Sequence, residues 1–252
     1  MTERPMKKEG ASQAKILLLN GSPHRAGSTT MFAAENFARG IADADGADIE
    51  IIHIADLNIK PCMGCLSCWG RTEGECVIRD DDVHLVKQKI LDADIIIESF
   101  PLYFFGMPGI VKILTDRLLC MGKTYEGQSA PHDGASAHGL RYYDPRQSFV
   151  LISACAYTET DRIFDPLKNQ YDLICGEGMY THLFFPQLKT LVDKGGSRKE
   201  RFGKRVYEAG REYAAGKKLS EETVKWLVRP PFTKEIYETI IRNVFDEQRH
   251  ST

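Results

Sequence analysis

The stretch Lys15-Ile-Leu-Leu-Leu-Asn20-Gly-Ser-Pro-His-Arg-Ala-Gly-Ser-Thr-Thr30 opens as a short apolar run and breaks into a loop of glycines and hydroxyls. An apolar run without polar alternation reads as a strand buried on both faces, as in a parallel sheet covered by helices. Helical spacing then runs from Ser28 to Ala42, so the loop joins the carboxyl end of a strand to the start of a helix. Doubly wound α/β proteins hold a phosphate at this place, where a helix start offers unpaired N–H groups and the positive end of its dipole.

Outward from that unit the same pattern repeats. Strands are expected at Ile49–Ile54, Asp94–Phe100, Ser148–Ser153 and around Tyr180–Phe185, and helices from Asp80–Asp82 to Leu91, from Pro108 to about Cys120, from Asp161 to Ile174 and from Ser197 to Ala215. Five such alternations imply a parallel sheet with helices on both faces. Residues 1–12 read as a loose polar tail, 13–216 as the α/β domain and 217–252 as an extension of two amphipathic segments around Pro230-Pro231. Within the domain, residues 61–79 form a cysteine loop and 121–147 a long excursion of the kind that often carries function.

Composition narrows the partners. Lys and Arg number 33 against 35 Asp and Glu in 252 residues, which is not the basic footprint of a nucleic-acid protein and points to a small-molecule partner. The most apolar stretch, Ile95–Leu114, is broken by Glu98, Pro101, Pro108 and Lys112, so no membrane span is expected. Met1–Ser12 has no apolar block of signal-peptide length, which implies a cytoplasmic, reducing setting where clustered thiols bind metal or do redox work.

Three motifs carry the chemistry. The first loop supplies hydroxyls at Ser22, Ser28, Thr29 and Thr30, with His24 and Arg25 beside them, a donor set suited to a monophosphate. Ser28 stands where a triphosphate loop requires Lys. After the third strand comes Pro101-Leu-Tyr-Phe-Phe-Gly-Met-Pro108, a stiff aromatic segment that can wall a planar heterocycle or, in the blander reading, fill the core with Phe104 and Phe105. Cys62, Cys65, Cys68 and Cys76 form the third. Two successive C-x2-C steps suit a [4Fe-4S] cluster with Cys76 as the fourth ligand; redox-active thiols and zinc stay open on the residues alone. His132, His138, Tyr142 and Tyr143 in the excursion are weaker candidates for a substrate pocket, and Cys155 reads first as a small buried hydrophobe.

The two strand-end loops resemble those of the flavodoxin-like NAD(P)H-dependent FMN reductases. Pro61-Cys-Met-Gly-Cys-Leu-Ser-Cys68, followed by Gly74-Glu-Cys76-Val-Ile-Arg-Asp-Asp-Asp82, resembles the iron-sulfur flavoprotein branch of that superfamily. The resemblance implies a five-stranded sheet of order 2-1-3-4-5 with FMN at its carboxyl edge. It places Ser22, His24, Arg25, Ser28, Thr29 and Thr30 around the phosphate, Pro101, Leu102, Tyr103, Phe104, Phe105 and Gly106 along the flavin ring, and the segment holding Ser153, Cys155 and Tyr157 on a third side. It further implies a homo-oligomeric oxidoreductase that passes electrons from NAD(P)H, or from a ferredoxin-like donor, to a quinone, nitroaromatic or flavin. The rival is a non-catalytic flavodoxin-like or iron-sulfur electron carrier. No side-chain acid or base stands out, since the flavin performs the chemistry.

Overall fold

The computed structural model of the chain describes residues 13–124 and 138–250; the tail and His132 lie outside them. Five parallel strands, β1 (Lys15–Asn20), β2 (Asp48–His53), β3 (Ile95–Pro101), β4 (Ser148–Cys155) and β5 (Thr181–Pro186), form one sheet of order β2-β1-β3-β4-β5. The register runs Leu18 to Ile51 on one side of β1 and Leu18 to Ile97 on the other, and continues through Ile97 to Val150 and Ile152 to Leu183. The expected flavodoxin-like order is therefore the observed one.

The helices that follow these strands cover two faces. On one lie α1 (Thr29–Asp45), α5 (Leu188–Lys194) and α6 (Gly196–Gly216), packed over Ile16, Leu18, Ile95, Ile97, Val150, Ile152 and Leu183. On the other lie α2 (Val83–Asp92), α3 (Gly109–Arg117) and α4 (Asp165–Cys175), over Leu17, Leu19, Ile96 and Leu151. Odd and even residues of each strand thus serve different cores, which is why β1 and β3 carry no polar alternation. The α1–α6 crossing is so close that a methyl group on Gly40 would meet the Tyr207 carbonyl oxygen at 2.0 Å, and one on Gly210 the Phe37 carbonyl oxygen at 2.1 Å.

The segment after Gly216 forms α7 (Glu221–Leu227) and α8 (Lys234–His250). Its Leu227, Phe232 and Tyr237 are buried in the α1-side core. Buried Gln187 fastens it to the sheet: its Oε1 accepts from Phe232 N at 3.0 Å, its Nε2 donates to Thr158 Oγ1 at 3.1 Å, and its backbone N bonds the Cys155 carbonyl at 2.8 Å. Expected boundaries moved most at the fourth helix, which starts at Asp165 and not Asp161, and α5 was not foreseen as a separate element.

Candidate functional site

The loops after β1, β2, β3 and β4 all leave the carboxyl edge of the sheet, and those after β1, β3 and β4 are neighbours because β3 lies between β1 and β4. The first loop is a rigid cup. Asn20, fully buried, accepts from Ser22 N through Oδ1 at 3.0 Å, while its Nδ2 donates to the Arg25 carbonyl at 2.9 Å and faces His53 Nδ1 at the same distance. Gly21 donates to the Ser99 carbonyl at 2.8 Å and presses on α3, where any side chain would meet Val111 Cγ2 at 2.1 Å. The first i to i−4 bond of α1 runs from Phe32 N to the Ser28 carbonyl at 3.2 Å, which leaves the preceding amides without helical partners. Ser28 does not cap them with its side chain; its Oγ shares a 2.7 Å bond with Thr30 Oγ1. The cup therefore gathers Ser22, Ser28 and Thr30, all buried, with Thr29 beside them. His24 and Arg25 are on its exposed rim, and the Arg25 guanidinium is ion-paired to Asp56.

The aromatic segment settles into a tight reverse turn. Tyr103 and Gly106 exchange both backbone hydrogen bonds at 3.0 Å, and the two central residues, Phe104 and Phe105, have φ of 48° and 64°. Left-handed backbone at two consecutive phenylalanines costs on the order of 1–3 kcal/mol each, yet Phe104 is fully exposed and Tyr103 and Phe105 are nearly half exposed. The core-filling reading of these phenylalanines is overturned: core packing does not compensate the strain. Tyr157, from the loop after β4, stacks on Phe105 with ring centroids 6.2 Å apart and planes 19° apart. Pro101 and Leu102 are half-buried at the base of this shelf, with Leu102 N bonded to the Ala154 carbonyl at 2.8 Å.

Two expected members do not reach this surface. Ser153 is fully buried inside β4 with no partner for its Oγ, and Cys155 lies in the apolar cluster with Phe100, Leu151 and Phe164, where burial pushes its thiol pKa up.

The cysteine loop brings Cys62, Cys65, Cys68 and Cys76 to the lining of one small pocket, together with Met63, Ile78 and Arg117. Cys62 and Cys65 are exposed, Cys68 and Cys76 half-buried. Hydrogen bonds from the Ser67 backbone and side chain lower the Cys65 pKa, whereas burial and then the neighbouring Cys76 raise that of Cys68. Among the described residues no three metal-ligating side chains converge on the point one ion would occupy. Four thiols lining one cavity are the donor set that a [4Fe-4S] cluster takes.

Buried cations hold this loop from outside. Arg117 Nη1 donates to the Lys60 carbonyl at 2.7 Å and Nη2 to the Ile78 carbonyl at 3.1 Å, so that one guanidinium ties both flanks, and it is ion-paired to a fully buried Asp81 side chain. Its Nε has no acceptor in regular geometry, although the Cys76 thiol is near enough to favour the guanidinium charge. From α2, Lys87 donates to the Gly74 carbonyl at 2.6 Å and pairs with Glu75. Asp80–Asp82, expected as a helix start, does more than that: no aspartate caps α2 through the N-cap side chain, and Asp82 instead accepts from Asn58 N at 2.7 Å. In the excursion, the Tyr142 ring lies 5.1 Å from Lys87 Nζ and His138 packs on Trp69 at 5.0 Å, so both brace the cysteine loop.

A parallel 2-1-3-4-5 sheet with a hydroxyl cup after β1 and an aromatic wall after β3 defines the flavodoxin-like class. Residues 14–134 match the family described as NADPH-dependent FMN reductase. An iron-sulfur flavoprotein of Archaeoglobus fulgidus is 40% identical over 103 residues, 41% of this chain and 48% of that protein. The chain thus spans about half the length of the curated relatives it matches. In fold it is similar to an NAD(P)H:quinone oxidoreductase from Methanothermobacter marburgensis, with a TM-score of 0.59 at 19% identity over 79% of this chain and 98% of that one. It is also similar to an FMN-dependent NADH-azoreductase from Bacillus anthracis solved with FMN, with a TM-score of 0.55 at 17% identity over 80% of this chain and all of that one.

Proposed function

We propose that the chain is an FMN-dependent oxidoreductase that takes electrons from NAD(P)H, or from a ferredoxin-like donor, and passes them to a small acceptor such as a quinone, nitroaromatic or flavin. The observation that carries this reading is the strained, exposed Phe104–Phe105 turn standing beside a buried hydroxyl cup. Strain at an exposed aromatic pair has no packing explanation and has one in ligand contact.

FMN supplies the hydride or one-electron step when bound. The side chains of Ser22, Ser28, Thr29 and Thr30, with the open amides at the start of α1, hold its phosphate. Tyr103, Phe104, Phe105 and Tyr157 cover the ring and exclude water; Pro101 and Leu102 support them. His24 bounds the phosphate at the rim, where the Arg25–Asp56 pair leaves the guanidinium with part of its charge already offset. Of the third side, Tyr157 takes the role assigned to its segment, and Ser153 and Cys155 act only as its buried support. Cys62, Cys65, Cys68 and Cys76 hold a [4Fe-4S] cluster, which supplies single-electron exchange when present. Self-association fits the half-exposed Ile236 and Phe245 on α8.

Protein purified without oxygen should contain about one FMN per chain, iron and sulfide in equal amounts, and steady NAD(P)H oxidation with a quinone. Absence of flavin, with no rebinding of FMN, overturns the reading. Flavin that turns over no pyridine nucleotide transfers it to the electron-carrier alternative, which the net charge of −2 disfavours because carriers dock through strongly charged faces.

A further inference from the structure

We propose a second ligand site, for a single-ring aromatic anion bearing a carboxylate or a phosphate, in the cavity that the end of β5 forms with α5, α6, α7 and the Pro230-Pro231 turn. This cavity has a volume of about 230 Å³, and its floor is Phe185, Leu188, Leu191 and Phe202. It belongs to the α1-side core, while the four thiols line a pocket with α3 on the other face. The volume exceeds the ~150 Å³ in which an enclosed cavity accepts benzene, and this one opens to solvent along its arginine rim, where a polar substituent can sit.

Its rim selects charge. Arg198, Arg201 and Arg229 line it, and no aspartate or glutamate does. Among the described residues none of these three arginines is ion-paired to a carboxylate. Arg198 and Arg201 occupy the first turns of α6, three residues apart and hence on one side, where the open amides of a 21-residue helix add to the positive potential.

Aromatic and proline neighbours hold the guanidinium groups in place. Arg229 lies over the Trp226 ring at 4.6 Å, and Arg198 over Phe232 at 5.1 Å while donating to the Pro231 carbonyl at 3.3 Å. Gathering three unneutralised guanidiniums around an apolar floor raises their mutual repulsion, and an anion seated among them relieves it. Guanidinium matches carboxylate and phosphate oxygens through paired N–H donors. A ring on the floor with its anionic group at the rim satisfies both halves of the cavity.

The site is independent of the flavin reading, and its test uses the protein as purified, with whatever cofactor it carries. Calorimetric titration with phenyl phosphate, benzoate, benzyl alcohol and inorganic phosphate, on wild type and on an R201Q/R229Q variant, is the experiment. Both residues are exposed, so the variant should keep the wild-type melting temperature. Phenyl phosphate and benzoate should bind wild type, benzyl alcohol and inorganic phosphate at least tenfold more weakly, and the variant should lose at least tenfold for both ring anions. The proposal is overturned if neither ring anion binds, if binding survives R201Q/R229Q unchanged, or if inorganic phosphate binds as well as phenyl phosphate.

Discussion

The hydroxyl loop after β1 and the cysteine loop after β2 leave the same edge of the sheet, yet they are held by opposite means. The first is closed from within: Asn20, at its own base, binds Ser22 and Arg25, and α1 continues its last residues. The second closes only its middle from within, where Thr72 N donates to the Ser67 carbonyl at 2.8 Å and Gly74 N to the Cys68 carbonyl at 2.9 Å, and its flanks are gripped from outside, by Arg117 of α3 and Lys87 of α2, through contacts that span 12 to 57 residues of sequence. A short loop that begins a helix inherits its order from the helix. A long one presenting four thiols must import order, and buried cations reaching backbone carbonyls are one way to do so without capping the thiols themselves.

The contrast breaks most visibly at Arg117. R117M leaves the buried Asp81 carboxylate without its cation, with only Lys60 N and Val83 N donating to it, and should destabilise the protein by about 3–5 kcal/mol, measured by urea unfolding, with the cysteine loop becoming the first site of proteolysis. A loss below 1 kcal/mol would show that the loop does not depend on this tie. The next largest effect tests the core between the loops. Glu98 on β3, hydrogen-bonded to Tyr171 at 2.7 Å, has its pKa pushed up to about 7 by burial. Because its folded pKa lies above the ordinary 4.5, the folded state gains protons relative to the unfolded, and stability falls as pH rises from about 4.5 through about 7. E98Q should remove that fall and gain on the order of 3 kcal/mol over wild type at pH 8, with little difference at pH 4; parallel stability curves would refute it.

A smaller and opposite effect is expected on the flavin side. Phe104→Gly relieves a left-handed phenylalanine and should stabilise the fold by about 1 kcal/mol, while weakening FMN binding or slowing its reduction. Stability gained with flavin behaviour unchanged would separate the strain from the proposed function. Smallest of all, Cys65→Ser should alter stability by less than about 0.5 kcal/mol, since the residue is exposed, but should deplete bound iron; retained iron would remove Cys65 from the ligand set.

What the sequence disclosed follows the same division. Strands β1 and β3 and the hydroxyl cup were legible because their signals are local: apolar runs, a glycine turn, hydroxyls at a helix start. Cys62, Cys65, Cys68 and Cys76 could be grouped by spacing, and the structure places them around one pocket. Asn20, Arg117, Lys87 and Gln187 were missed, since each acts on partners that only the fold brings near. Asp80–Asp82 was rightly read as a helix start, since α2 begins at Val83 and Val83 N donates to Asp81 Oδ1 at 3.3 Å, but the longer-range partners of Asp81 and Asp82, Arg117 and Asn58, were not visible. The phenylalanines of the aromatic segment left two readings open on composition alone, a wall for a heterocycle or core filling, and their exposure removes the second.

Gly40 and Gly210 touch across the α1–α6 crossing with no room for a methyl group on either. Genetically the two positions therefore behave as one locus. A change at either forces the helix axes apart, and a compensating change at the other cannot restore contact because glycine is already the smallest residue. Drift at this crossing is thus closed in both directions. In an alignment of distant relatives, two glycines far apart in the chain that are kept or lost together would mark this crossing more reliably than the apolar residues around it, which can exchange volume with one another.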